Sequence, residues 1–320
     1  TYTGRGDLTE EMTLTILFSG AAAEWPVYED DLRRAFAAEE LSVDLIRETS
    51  DPTNIDYIIC SPDGQVSDFS PFTNLKAVMS LWAGVEALAV NPTLKAPLAR
   101  MVDPGLTAGM VEWVTGHVLR YHLGMDAHIL GQDGVWRGDS VPPLAAERRV
   151  GILGLGELGL AAARALQTLG FDIRGWSRTL KTEPSFRAFS GEDGLEVVLT
   201  NSHILVALLP ATPATENVLN AGSLSLLPNG ARILNPGRGT LIDDAALIAA
   251  LDTGKVAHAT LDVFVEEPLP PDHPYWAHPR VTVTPHIASA TRSRTASQSI
   301  AANIRAYENG ADLSHLVDRS

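Results

Sequence analysis

"RRVGILGLGELGLAAARALQTLGFDIRGWSRTLK", residues 148–181, decides how the rest of the chain is read. It opens on an apolar run, passes through glycines, continues as an Ala-rich segment, and ends in a second apolar run. A strand, a turn, a helix and a parallel strand fit that succession. Gly170 closes the helical segment, as glycine commonly does. The hexapeptide GLGELG at 154–159 matches G-x-G-x-x-G. Alone it says little, but between a strand and a helix it reads as a dinucleotide-binding loop. Gly154 permits the tight turn, Gly156 lets the backbone approach a pyrophosphate, and Gly159 lets the helix pack on the strand. Unpaired amides around Glu157 and Leu158 are suited to phosphate oxygens. The competing reading is a glycine-rich turn with no ligand.

Outward from this unit, short apolar runs alternate with segments of helical period, which predicts an α/β protein with parallel sheets. Residues 13–19, 57–60, 75–80, 203–210, 231–237, 256–264 and 281–289 read as strands. Residues 28–39, 109–125, 243–254 and 288–310 read as helices, and 131–143 as a Gly-rich loop. No solenoid repeat is visible.

At 320 residues and 45% apolar, the chain can bury a large core, and its length suggests two domains or one large one. A net charge of −15 argues against nucleic acid as a partner. It does not exclude a small anionic substrate, because a few cations in a cleft act where screening is weak. No run of apolar residues is long enough for a membrane span. The first dozen residues are polar and lack the features of a signal peptide. A single cysteine, Cys60, forbids an internal disulfide and fits a reducing, cytoplasmic setting. The HPYWAH stretch (273–278) lies in a Pro-rich loop without cysteine, so no metal site is expected.

Three strand ends carry acid–base and anion-binding groups. In NPGRGTLID (235–243), Arg238 stands between glycines, and a guanidinium there suits a carboxylate. In LDVFVEEPLP (261–270), Glu266 and Glu267 are adjacent and point differently. In VTVTPHIAS (281–289), His286 is the natural group to move a proton near neutral pH. Each has a plainer alternative: a surface turn for Arg238 and a structural role for the histidine.

Taken in order, GLGELG, LLPATPAT, NPGRG, LDVFVEEPLP and VTPHIAS resemble the D-isomer-specific 2-hydroxyacid dehydrogenase family. WSRTLK, LWAGVE and the 261–288 stretch look most like its glyoxylate/hydroxypyruvate reductase A branch. The resemblance covers residues 12–320. It implies two Rossmann- or flavodoxin-like parallel-sheet domains with a cleft between them: 1–108 plus 290–320 for the substrate, and 109–289 for the dinucleotide. It implies a catalytic set of Arg238, Glu267 and His286. It further implies cofactor contacts from the glycine loop, Leu209, Pro210, Thr215, Pro236, Gly237, Asp262 and Ala288. Asp262 matches the position that binds the nicotinamide carboxamide; the alternative is a strand-end cap. Ala83 and Gly84, in SLWAGVEAL (80–88), would offer amides to the substrate carboxylate, with Trp82 and Arg292 as further candidates. Trp82, Trp113 and Trp136 are candidates for shaping the pocket, and Trp136 for reaching a second copy in a homodimer. The Pro236-Gly237 pair departs from the family's usual Ala or Thr before the arginine, which predicts a looser backbone there.

The cofactor follows from RGWSRTLK (174–181). NAD-type folds end the second strand in an acid that binds the ribose hydroxyls. The family's NAD users would place it at Ser177, and Asp172 sits at the wrong end of the strand. Ser177 does not repel a 2′-phosphate, and Arg178, Thr179 and Lys181 suit one. The expectation is NADP(H) in preference to NAD(H), and reduction of small 2-keto acids such as glyoxylate and hydroxypyruvate. Reduction of phenylpyruvate or 2-ketogluconate, or a co-repressor-like binding role, stays open at this point.

Overall fold

The computed structural model describes residues 13–61 and 64–319, so the polar start of the chain lies outside it. The chain divides into two units, Thr1–Gly105 with Thr291–Ser320, and Leu106–Ala290.

The first unit contains β1 (Leu14–Ser19), α1 (Trp25–Ala38), β2 (Val43–Ile46), β3 (Tyr57–Cys60), β4 (Ala77–Ser80), α2 (Glu86–Ala89) and β5 (Leu98–Ala99). The sheet is parallel throughout, in the order β2-β1-β3-β4-β5, a flavodoxin-like doubly wound arrangement. β3 and β4 are buried at every position, as parallel strands covered on both faces must be. The last helix, Ser293–Glu308, belongs to this unit. Ser293 Oγ donates to Asp31 Oδ2 on α1 at 2.6 Å. At the helix's far end, Glu308 accepts from Lys76 Nζ at 2.8 Å and from the Tyr57 hydroxyl.

The second unit begins along a long helix, α3 (Pro104–Leu123), followed by α4 (Met125–Leu130), β6 (Arg149–Leu153), α5 (Glu157–Thr168), β7 (Asp172–Trp176), β8 (Arg187–Phe189), α6 (Gly191–Asn201) and β9 (Ile204–Ala207). Then come α7 (Ala221–Leu226), β10 (Ala231–Asn235), α8 (Asp244–Asp252), β11 (Val256–Leu261), α9 (Pro274–Ala277) and β12 (Val281–Val283). All seven strands are parallel, in the order β12-β11-β10-β9-β6-β7-β8. Strand order reverses between β6 and β9, so the ligand crevice is expected at the carboxyl ends there.

Alternation along the strands builds two cores. Val150, Ile152, Ile173, Val206 and Leu234 pack with Met110 and Val114 of α3 and with Ala162 and Leu166 of α5. Leu205, Ile233, Ala259 and Leu261 pack with Leu199, Leu224, Leu247 and Leu251 of α6–α8 on the other face. Burying each such side chain contributes roughly 1.5–3 kcal/mol. The alanines of α5 let its axis lie close to β6.

Among the boundaries that differ from the sequence reading, two lie at the site. The strand expected over 281–289 stops at Val283, and the helix expected over 288–310 starts at Ser293. The residues between form a turn, because Pro285 has no N–H to extend a ladder and His286 adopts φ +52°.

Candidate active site

The groups singled out in the second unit follow the carboxyl ends of β6, β7, β9, β10, β11 and β12, along one edge of its sheet. At β6, Gly154 has φ +106°, and its N–H donates to the Trp176 carbonyl at the end of β7, 2.8 Å away. Gly156 is the N-cap of α5, and no side chain caps that helix. The amides of its first turn are therefore left for a ligand. A Cβ on Gly159 would stand 1.8 Å from the Gly154 carbonyl oxygen. That position admits no side chain, and the helix start stays pressed against the loop.

Next to this loop, Ser177 is buried. Its hydroxyl donates to the Thr179 carbonyl at 2.8 Å, and its amide to the Phe189 carbonyl at 3.1 Å. The Ser177 hydroxyl is thus engaged in a local turn. That turn leaves Arg178, Thr179 and Lys181 exposed, and no carboxylate among the described residues pairs with Arg178 or Lys181. Asp172 begins β7, where it meets Arg174 at 3.4 Å. A strand of this length puts it over 10 Å from the ligand end.

After β9, Leu209 is buried and Pro210 exposed, and Thr215 Oγ1 donates to the Pro210 carbonyl at 2.7 Å. After β10, the Arg238 turn is pinned rather than loosened. Asn235, 1% exposed, donates from Nδ2 to the Arg238 carbonyl at 2.9 Å and accepts the Gly237 amide at 3.1 Å. Pro236 and Gly237 are both buried. The Arg238 side chain is half-buried, with Nη1 donating to the Gly237 carbonyl at 2.7 Å.

His286 Nδ1 lies 2.7 Å from Glu267 Oε2. The other oxygen of Glu267 accepts the Phe264 amide at 2.8 Å, which fixes the carboxylate on its loop. A carboxylate only accepts, so Nδ1 carries the hydrogen and Nε2 is the atom left for a substrate. Of the two adjacent glutamates, Glu267 is the one that contacts His286.

Asp262, 1% exposed, is held by donors of the protein itself. Its Oδ1 accepts the Thr284 hydroxyl at 2.5 Å and the Ile287 amide at 2.9 Å, and its Oδ2 accepts the Ala288 amide at 2.8 Å. Four lone-pair sites minus these three leave one on Oδ2 for a ligand. Thr284 and Asn235 were missed in the sequence. An Asn ahead of Pro-Gly is a turn signal that would have found the second.

The remaining candidates belong to the first unit. Ala83 and Gly84 follow β4 in a turn built on Ser80, whose hydroxyl oxygen accepts the Trp82 amide at 3.1 Å. The helix beyond them starts only at Glu86 and has 4 residues, so the two amides are turn amides rather than a helix start. Trp82 is 39% exposed. Arg292 caps the last helix, with Nη1 donating to the Gly105 carbonyl at 2.8 Å. Trp113, in α3, packs against His117 at a tilt of 56°, with centroids 4.3 Å apart. Trp136 is 95% exposed in the 131–143 loop. No group of acidic, histidine or cysteine side chains suited to a metal occurs among the described residues, and no described helix is long and apolar enough to cross a membrane.

Residues 117–288 match the family model described as D-isomer specific 2-hydroxyacid dehydrogenase, NAD binding domain. The chain is 42% identical over 251 residues to glyoxylate/hydroxypyruvate reductase A of Yersinia enterocolitica, covering 76% of this chain and 80% of that protein. Among solved structures it is similar to a D-isomer specific 2-hydroxyacid dehydrogenase of Xanthobacter autotrophicus Py2 in complex with NADPH and MES. That likeness has TM-score 0.86 and 38% identity, and covers 96% of this chain and 99% of that one. It is likewise similar to the NADPH-dependent glyoxylate/hydroxypyruvate reductase of Sinorhizobium meliloti in complex with NADP and sulfate. Here the TM-score is 0.84 and the identity 32%, over 96% of this chain and 98% of that one.

Proposed function

Because the chain belongs to the D-isomer-specific 2-hydroxyacid dehydrogenase family, we propose that it reduces small 2-keto acids with NADPH, glyoxylate and hydroxypyruvate before others. The observation that carries this is the 2.7 Å bond between His286 Nδ1 and Glu267, on the same sheet edge as Arg238 and the glycine loop.

The residues fit the cofactor. The uncapped start of α5 suits a pyrophosphate, the glycine pair at 154 and 159 leaves the backbone bare, and an acid is missing at 177 where it would oppose a 2′-phosphate. Arg178, with Thr179 and Lys181, takes that phosphate. When bound, NADPH supplies the hydride. The protein's own part is binding and proton transfer. Arg238 holds the substrate carboxylate and polarises the keto oxygen. His286, protonated, gives the Nε2 proton to the oxygen that becomes the hydroxyl. Glu267 fixes the tautomer from the other side of the ring. The open lone pair of Asp262 Oδ2 receives the carboxamide.

We further propose a homodimer. Ile129, Leu130, Val135, Trp136, Val141 and Leu144 are all more than half exposed along one segment, an arrangement a second copy would cover. With one cysteine, the chain suits the reducing cytoplasm.

Steady-state kinetics with glyoxylate, hydroxypyruvate, pyruvate and phenylpyruvate against NADPH tests the reading. His286→Ala should lower kcat on the order of 10²-fold or more while NADPH still binds. Near-normal kcat in that variant would remove the histidine from the mechanism, and preference for phenylpyruvate would remove the substrate class.

A further inference from the structure

The turn that carries His286 is held in a conformation its own residues disfavour. His286 has φ +52°, in the left-handed region that side chains with a Cβ rarely adopt. Pro285 before it offers no N–H. What holds the turn comes from the end of the neighbouring strand β11 together with Thr284. The His286 amide donates to the Asp262 carbonyl at 2.8 Å and to the Thr284 carbonyl at 3.0 Å. The next two amides, of Ile287 and Ala288, end on the two oxygens of the Asp262 carboxylate, at 2.9 and 2.8 Å.

That carboxylate is 1% exposed. A buried carboxylate keeps one orientation only when its lone pairs are taken up by donors. One donor to Asp262 is a side chain on the same short segment: the Thr284 hydroxyl, 2.5 Å from Oδ1. It shares Oδ1 with the Ile287 amide, so it fixes the plane of the carboxylate that both amides need. A threonine hydroxyl is suited to this, because β-branching restricts χ1 and keeps Oγ1 aimed.

We propose that Thr284 is a positioning residue for His286, acting through the Asp262 carboxylate. Thr284 touches neither substrate nor cofactor in this scheme. It sets the turn from which the imidazole reaches Glu267 on one side and the keto oxygen on the other. The proposal rests on the reading of His286 as the proton donor.

The test compares Thr284→Val and Thr284→Ser with the unmodified enzyme. Thr284→Val keeps the shape and loses the hydroxyl. Its kcat for glyoxylate reduction should fall on the order of 10- to 10²-fold, the scale of a small misplacement of a catalytic group. KM for NADPH should rise by less than kcat falls, because the glycine loop is untouched and only the Asp262 contact to the carboxamide is disturbed. Amide hydrogen exchange in the segment 286–288 should quicken on the order of tenfold, with the rest of the unit unchanged. Thr284→Ser keeps the hydroxyl and should recover most of kcat and of the protection. Unchanged exchange at 286–288 in Thr284→Val would overturn the proposal. So would faster exchange throughout the unit, or a Ser variant as impaired as Val. His286→Ala, measured in parallel, separates the two levels. If that variant keeps its turnover, the proton-donor reading fails, while the exchange data still judge the clamp.

Discussion

Arg178 stands two residues past the end of β7 with its guanidinium in solvent and no carboxylate partner among the described residues. Charge of that kind, beside a phosphate-binding loop in a chain of net charge −15, is expected to be used. Arg178→Ala should raise KM for NADPH about tenfold, equivalent to about 1.4 kcal/mol, and leave KM for NADH nearly unchanged. Ser177→Asp should lower kcat/KM for NADPH further, by setting a carboxylate against the phosphate. Equal use of both cofactors by the unmodified enzyme would refute this account. At this scale the sequence pointed to candidates wherever chemistry sits inside a contiguous motif, as with Gly154, Arg238 and His286. It was silent on Thr284, because the carboxylate that Thr284 serves lies 22 residues away and meets it only once β11 and β12 are paired. The local partner of the Ser177 hydroxyl was not legible either. Its acceptor is a backbone carbonyl two residues on, and a short polar side chain in a turn takes such a partner first.

In the proposed function, the element on which cofactor binding depends is α5. Its first turn is pressed against the β6 loop, so that a Cβ at Gly159 would fall 1.8 Å from a backbone oxygen. Gly159→Ala must push the helix away. The cost is expected at about 1–3 kcal/mol, with NADPH affinity, followed by fluorescence titration, falling by more than the change in melting temperature suggests. Retained affinity would show that the loop yields without losing its phosphate amides. Strong apolar runs such as 150–153 and 204–207 announced their strands. β8 and α6 did not announce themselves. β8 is a three-residue edge strand with little burial. α6 carries Gly191, Gly194, Val197 and Val198, all poor helix formers. It is helical because Val198 and Leu199 bury against the sheet, a tertiary gain no window of sequence displays.

Over the second unit as a whole, four histidines are held neutral. Burial pushes His258 down to about 4, with the Arg120 charge adding to the effect. His117, His122 and His203 are also pushed down, chiefly by burial. A folded chain that refuses protons which the unfolded chain accepts loses stability on acidification. For His258 the loss runs from about 6.5 down to about 4. Thermal melts between pH 7.5 and 4.5 should therefore show a falling Tm, and His258→Gln should flatten the slope. A variant with the same slope would assign the acid sensitivity to other groups. The division of the chain makes a second prediction. Residues 106–290 produced alone should melt cooperatively and bind NADPH. Residues 13–105 alone should not fold, because Asp31, Lys76 and Tyr57 lose partners on the last helix. A folded N-terminal fragment, seen by circular dichroism, would contradict this.

That last helix also sets an order in time. On the ribosome, residues 13–105 emerge first but cannot complete their unit until Thr291 and its successors appear. The intervening 185 residues (290 − 105) take roughly 10–40 s at bacterial or eukaryotic elongation rates. Throughout that interval β1, β3 and β4, buried almost throughout in the finished protein, wait without the helix that completes their unit. The dinucleotide-binding unit, contiguous in sequence, is the first to finish. The earlier-born half is the one exposed to aggregation, and the one for which a nascent-chain chaperone would make the greatest difference in yield.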